Sequence, residues 1–243
     1  MKRVRIGNGC GFWGDNLDAP IRLAADGRLD YLTLEYLAEL TMSILAVQKG
    51  KNPEAGFATD FLDVLGRLTP ILKQQPGLKI ITNAGGMNPH GCAAKARDIL
   101  AKAGLADRKI GIVSGDDLMP RLDDLIGSQP SPRWEEGGRR RGEGSPNGER
   151  VIGGLNHLDT GEPLSTLRNR VVSANAYLGA GPIVEALRGG ASIIITGRVA
   201  DASLTVGPAA FEFGWNFNDL DRLASATVAG HLIECGAQAT GGL

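Results

Sequence analysis

Cysteine is scarce in this sequence. Cys10, Cys92 and Cys235 are far apart, and no two of them form a CxxC pair. That excludes a disulfide framework and a cysteine-rich structural zinc site, and it fits a reducing cytoplasm. An excess of charge of one sign is also lacking. Lys and Arg number 26 against 27 Asp and Glu, so the net charge is −1. A globally basic surface for nucleic acid or anionic membrane is thereby excluded. No apolar run approaches the ~20 residues that span a bilayer. The N-terminus "MKRVRIGNGCG" has no apolar stretch of the signal-peptide kind. These absences point to a soluble, cytoplasmic chain with neither a nucleic-acid nor a membrane partner.

What is present is enough for a core. Of the 243 residues, 42% are apolar, which suits one sizeable domain or two small ones. The 35 glycines are about twice the usual share of roughly 7%, yet they follow no short period, so collagen-like structure is excluded. Five short apolar runs read as buried strands: Val4–Gly7, Tyr31–Tyr36, Leu78–Thr82, Lys109–Ser114 and Ser192–Thr196. Most are continuous rather than alternating, as expected for strands covered on both faces. Helical spacing fills the gaps. Leu37, Leu40 and Ile44 mark one helix, and Phe57, Phe61, Leu65, Leu68 and Leu72 a second. Cys92, Ala96, Ile99 and Ala103 mark a third, closed by Gly104. Ile183, Val184 and Leu187 mark a fourth, closed by Gly189–Gly190. Strands alternating with helices predict an α/β fold of right-handed βαβ units, with a mainly parallel sheet and a ligand site at the carboxyl ends of its strands.

One stretch breaks the pattern. "QPSPRWEEGGRRRGEGSPNGERVIGG" holds few strongly apolar residues beyond Trp134, Val151 and Ile152. It cannot bury enough surface to offset its ordering entropy. We therefore expect residues 1–127 to form the first part of the α/β domain, 128–155 a disordered Gly/Arg-rich insertion, and 156–243 the continuation of the same domain. The chain stops just after a glycine-rich turn, so a longer parent protein is expected.

"GNGCGFWGD" contains a literal Gly9-x-Gly11-x-x-Gly14 after the first strand, with Glu35 standing 21 residues beyond Gly14. In a dinucleotide fold such glycines admit the pyrophosphate and such an acid holds the ribose. Phe12, Trp13 and Asp15 argue the other way, because bulk and negative charge are awkward there. The alternative is a tight loop with Trp13 in a core and Gly9 and Gly11 letting a substrate approach.

Each strand is followed by a polar or glycine-rich cluster, and five such clusters would converge on one face. In "TNAGGMNPHG", Gly85 and Gly86 allow close ligand approach and Asn83 and Asn88 offer amide contacts. Asn88 also suits a helix N-cap, and His90 in the first turn is a candidate acid/base or anion contact. In "SGDD", Asp116 and Asp117 are candidates for a base or for a divalent metal, and equally for a helix cap. In "TGRVADAS", Arg198 is a fixed cation for a carboxylate or phosphate, with Asp201 as an acid/base and Ser203 as a substrate contact. Arg198 and Asp201 also suit a pair that only shapes the loop. Cys10 is expected to be a small buried residue. His231, with Glu234 three residues on, is expected to be partly buried and satisfied. His157 is expected in a loop.

Together "GNGCGFWGD", "DYLTLEYLAELTMSIL", "TNAGGMNPHGCA", "LDTGEPL", "SANAYLGAGPIVEAL", "TGRVADASLTVGP" and "CGAQATGG" resemble the acyclic terpene utilisation (AtuA-type) family. The resemblance covers nearly the whole chain except about residues 128–155, and matches the N-terminal part of the longer family proteins. It implies a role in breaking down acyclic terpenoids such as citronellol and geraniol, or related branched acids handled as CoA thioesters. It assigns no residue roles.

Three functions stay open. The first is an enzyme acting on a small acidic or CoA-linked substrate by hydratase, lyase or isomerase chemistry next to a carbonyl. The second is a non-catalytic subunit, in a homo-oligomer or with a partner chain. The third is an NAD(P)-dependent oxidoreductase using Gly9–Gly14.

Overall fold

The computed structural model describes residues 2–127, 156–157 and 159–240. The expected insertion, 128–155, lies outside the described residues. In chain order the strands and α-helices are β1 (Ile6–Asn8), α1 (Ala19–Asp26), β2 (Tyr31–Leu34), α2 (Glu39–Lys51), α3 (Asp60–Gln74), β3 (Lys79–Thr82), α4 (Pro89–Lys102), β4 (Ile110–Val113), α5 (Leu122–Gly127), α6 (Leu164–Leu167), α7 (Gly181–Arg188), β5 (Ile193–Thr196), α8 (Ser203–Phe213) and α9 (Leu220–Ile233). The chain divides into two compact units. One comprises Met1–Asp117 with Asn175–Leu243, and the other Leu118–Ala174.

The first unit carries the sheet. All five strands are parallel, in the order β1-β2-β3-β5-β4. This is the α/β architecture that the continuous apolar runs predict. Each strand lies within the run read from the sequence or overlaps it. β2 and β4 stop before the ends of their runs, whose last residues enter the loops, while β1, β3, β4 and β5 begin one or two residues into theirs.

The runs are continuous because alternate residues serve two cores. Leu32, Leu34, Ile80, Ile193 and Ile195 point into the core that also holds Phe61, Leu65, Leu68 and Leu72 of α3 and Ala96 and Leu100 of α4. Tyr31, Ile81 and Ile194 point the other way, onto Ile183 and Leu187 of α7 and Leu204 of α8. The topology explains the split. The chain moves outward from β1 to β4, then turns back to insert β5 between β3 and β4. A right-handed crossover must then pass over the opposite face, and there α7 lies.

Local signals set the helix ends. Asn88 Oδ1 accepts the Gly91 N–H at 3.0 Å, with Pro89 opening α4. Gly104, at φ +71°, closes that helix in the left-handed region.

The second unit, Leu118–Ala174, contains α5 and α6. Within it, Arg168 Nε pairs with Asp123 Oδ1 at 2.5 Å. His157 is an exposed loop residue whose Nδ1 accepts the backbone N–H groups of Asp159 and Thr160.

Candidate functional site

The carboxyl ends of the strands bring the expected clusters to one edge of the sheet. The turn after β1 comes first. Gly11 N–H donates to Asp15 Oδ2 at 2.8 Å, and Gly14 N–H donates to Asp60 Oδ2 at 3.1 Å. Gly9 N–H is held by the Thr33 carbonyl at 3.0 Å. The donors that would cradle a pyrophosphate are therefore taken, two of them by carboxylates. α1 starts only at Ala19, so the helix that follows the turn does not begin on it, as a dinucleotide fold requires. The geometry opposes the dinucleotide reading. The glycines are there for packing. A Cβ on Gly9 would meet Pro20 at 2.7 Å, and one on Gly11 would meet the Cys235 carbonyl oxygen at 2.5 Å. Asn8 completes the arrangement: its Nδ2 donates to the carbonyls of Ile233, at 3.0 Å, and Glu234. The turn is a socket for the end of α9. Trp13 packs against the core and its Nε1 donates to Asp60.

At the end of β2 the chain stays buried through Glu35, Tyr36 and Leu37. Glu35 Oε1 accepts the Asn83 amide and the Leu37 N–H, the latter at 3.1 Å. Its Oε2 is buried with no hydrogen-bond partner. Asn83, at the end of β3, is fully buried and also accepts the Tyr36 N–H at 2.8 Å. It positions Glu35, and that buried role replaces the direct ligand contact expected from sequence.

Arg198, just past β5, is 3% exposed. Its Nη1 donates to the Leu37 carbonyl at 2.8 Å and lies 3.0 Å from Asp201 Oδ1 and 4.0 Å from Glu35 Oε1. Its Nη2 is 3.4 Å from Glu39 Oε1, and the Tyr177 ring covers the guanidinium at 4.3 Å. Tyr177 OH in turn bonds Glu39. Arg198 Nε has no partner. Asp201 Oδ1 is close in charge to Arg198 but misaligned for a hydrogen bond.

Asn8, Thr33, Glu35, Asp201, Leu204, Thr205 and Glu234 line a closed cleft that has no room for a water molecule in this conformation. Three carboxyl groups thus share one space beside one cation. Burial raises the Glu35 carboxyl to about 8, against the lowering by its Asn83 and Leu37 bonds; Asp201 raises it further and Arg198 lowers it. Burial also raises Glu234, with Asp201 adding to the effect and His231 opposing it.

The clusters after β3 and β4 form a second cavity of about 160 Å³, with Lys49, Gly86, Asn88, His90, Asp116 and Asp117 in its wall. His90 is exposed. Asn88 caps α4 and also donates to the carbonyls of Pro53 and Ala55. Asp116 is 3% exposed; its Oδ2 accepts the Arg198 N–H at 2.9 Å and the Asn175 amide at 3.0 Å. Its carboxyl is raised by burial, with those bonds opposing. Asp116 therefore braces the Arg198 loop from this cavity. Among the described residues no group of three or more His, Cys, Asp or Glu is arranged to hold a metal ion, so Asp116 and Asp117 gain no third ligand of that kind.

Two expected contacts pack inside the fold. A Cβ on Gly85 would meet the Thr196 carbonyl at 2.5 Å, and Ser203 is buried at the start of α8. Gly86 adopts φ +49°, a left-handed conformation that favours glycine. Cys10 is buried as expected. His231 differs from expectation: its side chain is 73% exposed, with Nδ1 3.1 Å from Glu234 Oε1. It lies on the outer face of α9, which explains the exposure.

Glu35 was legible only as a ribose contact, and Glu39 and Tyr177 carried no signal. A usable signal was present for Glu35: one carboxylate inside the otherwise uncharged run "YLTLEYL".

Residues 4–243 match the family model described as acyclic terpene utilisation family protein AtuA. No curated protein and no solved structure matches the chain. Among the described residues, no helix is long and apolar enough to cross a membrane.

Proposed function

The chain belongs to the acyclic terpene utilisation family AtuA, and on that premise we propose that it is an enzyme of acyclic terpenoid or branched-acid breakdown. Its substrate is a small acid or CoA thioester, and its chemistry is proton transfer next to a carbonyl, of the hydratase, lyase or isomerase kind. The observation that carries this reading is Glu35, a buried carboxyl with one oxygen unpartnered. With its affinity for a proton raised to about 8, Glu35 is a neutral acid near pH 7. A neutral carboxyl donates a hydrogen bond through Oε2 to a carbonyl oxygen, where negative charge develops as the adjacent carbon loses its proton. Asp201, on the same cleft, takes or returns that carbon proton. Arg198 holds Asp201 in place and supplies the positive field that an acidic substrate meets. His90, Asn88 and Asp117 line the other cavity at this edge of the sheet, where they offer polar contacts to a small group of the substrate.

The test is solvent deuterium incorporation next to the carbonyl of branched acyl-CoA thioesters and the free acids. Wild-type protein is expected to exchange that proton. Glu35→Gln and Asp201→Asn are each expected to slow it by roughly 10²–10⁴-fold. No exchange and no turnover by the wild type would sink the enzyme reading.

A non-catalytic subunit is the second reading, and α9 favours it. Leu220, Val228 and Leu232 are 72%, 61% and 67% exposed, with Val228 and Leu232 adjacent as an i, i+4 pair. Light scattering decides between them: a monomer with turnover by itself removes the subunit reading.

A further inference from the structure

A buried acid that gives up a proton must regain it before the next cycle. Glu35 is 5% exposed, so bulk water does not serve it directly. Its Oε1 is occupied by the Asn83 amide and the Leu37 N–H. Arg198 stays protonated and cannot pass a proton on. The remaining exit is Oε2, which is unpartnered and belongs to the cleft wall. Two further carboxyl groups line that cleft. Asp201 is held against Arg198 at 3.0 Å. Glu234 has the geometry of a connector: its side chain is 12% exposed, its Oε2 is buried without a partner, and its Oε1 lies 3.1 Å from Nδ1 of the solvent-exposed His231. Glu234 therefore lines the cleft and also meets a group in water.

We propose that His231 and Glu234 form the proton path between solvent and Glu35. This deepens the acid–base reading of the same cleft and rests on it. Glu234 gives the proton on Oε2 directly to Glu35 Oε2, the two side chains swinging together across the closed cleft. It then accepts another at Oε1 from His231 Nδ1 and turns its carboxyl to bring that proton to the cleft side, while His231 takes a proton from solvent at Nε2 and turns its ring to present it to Glu234. No electrons and no heavy atoms move. Glu234 acts through Glu35 and is a positioning and relay residue. The charged and titratable groups facing it are His231 on α9, Asp201 and Arg198 past β5, Glu35 past β2, and the neighbouring Cys235. Burial and Asp201 raise the Glu234 carboxyl, which lets it hold the transferred proton in passing.

The path is tested without substrate. Infrared spectroscopy reads the stretch of a buried protonated carboxyl, and rapid mixing into D₂O reads how fast its proton exchanges. Glu35→Gln identifies the Glu35 band. In Glu234→Gln that band is expected to exchange at least about tenfold more slowly than in wild type, with partial recovery in Glu234→Asp. His231→Phe, at an exposed position that leaves the fold intact, is expected to slow it as well. Wild-type exchange in either Glu234→Gln or His231→Phe overturns the relay. So does slowing by Asp201→Asn alone, which would place the proton entry there. A spectrum in which Glu35→Gln removes no band instead overturns the acid role of Glu35 itself, a distinct result.

Discussion

Asn83 grips Glu35 and the residue after it with the two ends of one amide. Its Nδ2 donates to Glu35 Oε1, and its Oδ1 accepts the Tyr36 N–H at 2.8 Å. The ends of β2 and β3 are thereby locked together, and the Glu35 carboxyl has one oxygen committed and one free.

The free oxygen has a consequence for stability. The Glu35 carboxyl titrates at about 8 in the fold against 4.5 for an ordinary glutamate. Between those values the native state keeps a proton that the unfolded chain has released. Stability from this group is full below about pH 4.5, falls as pH rises toward 8, and is lost above it, over a total on the order of a few kcal/mol. Thermal melts from pH 5 to 9 should show Glu35→Gln with a shallower decline than wild type. Parallel slopes would show that Glu35 is ionised in the fold.

The socket after β1 makes a packing prediction. Gly11→Ala puts a Cβ at 2.5 Å from the Cys235 carbonyl oxygen, a backbone atom that cannot swing aside. We expect a loss of about 1–3 kcal/mol. Gly66 lies inside α3 with nothing near its missing side chain, so Gly66→Ala should gain about 0.5–1 kcal/mol. Denaturant midpoints compare the two; equal shifts would refute the socket.

The thiols should react in a fixed order. Burial pushes Cys10 and Cys92 up to about 12, while Cys235 is exposed, its pKa raised by partial burial and by Glu234. Thiolate is the reactive form. Iodoacetamide at pH 8, followed by peptide mass spectrometry, should label Cys235 alone in the native protein and all three thiols after unfolding. Native labelling of Cys10 at the Cys235 rate would refute its burial.

The sheet was legible because burial on both faces writes itself as unbroken apolar runs such as "SIIIT". The order of the strands was not legible, since a run says nothing about which neighbour it pairs with; β5 lies between β3 and β4 although it is last in sequence. The site was half legible. Arg198 and Asp201 announced themselves as polar residues after a buried strand. Glu35 and Glu234 line one cleft only because the fold brings distant segments together, and Gly9 and Gly11 mimicked a nucleotide fingerprint because close packing against backbone demands the same residue.

The grip of Asn8 on the Glu234 carbonyl spans 226 positions of sequence, whereas the Thr33–Asn8 bond spans 25. Closing the longer loop costs about 2 kcal/mol more in chain entropy. Chain entropy thus favours the pairing of β1 with β2 over the docking of α9, the element that closes the cleft. What docks at such entropic cost is also drawn from the less stable end of a fold's opening spectrum. The wall that carries Glu234 is in that sense a door as much as a wall.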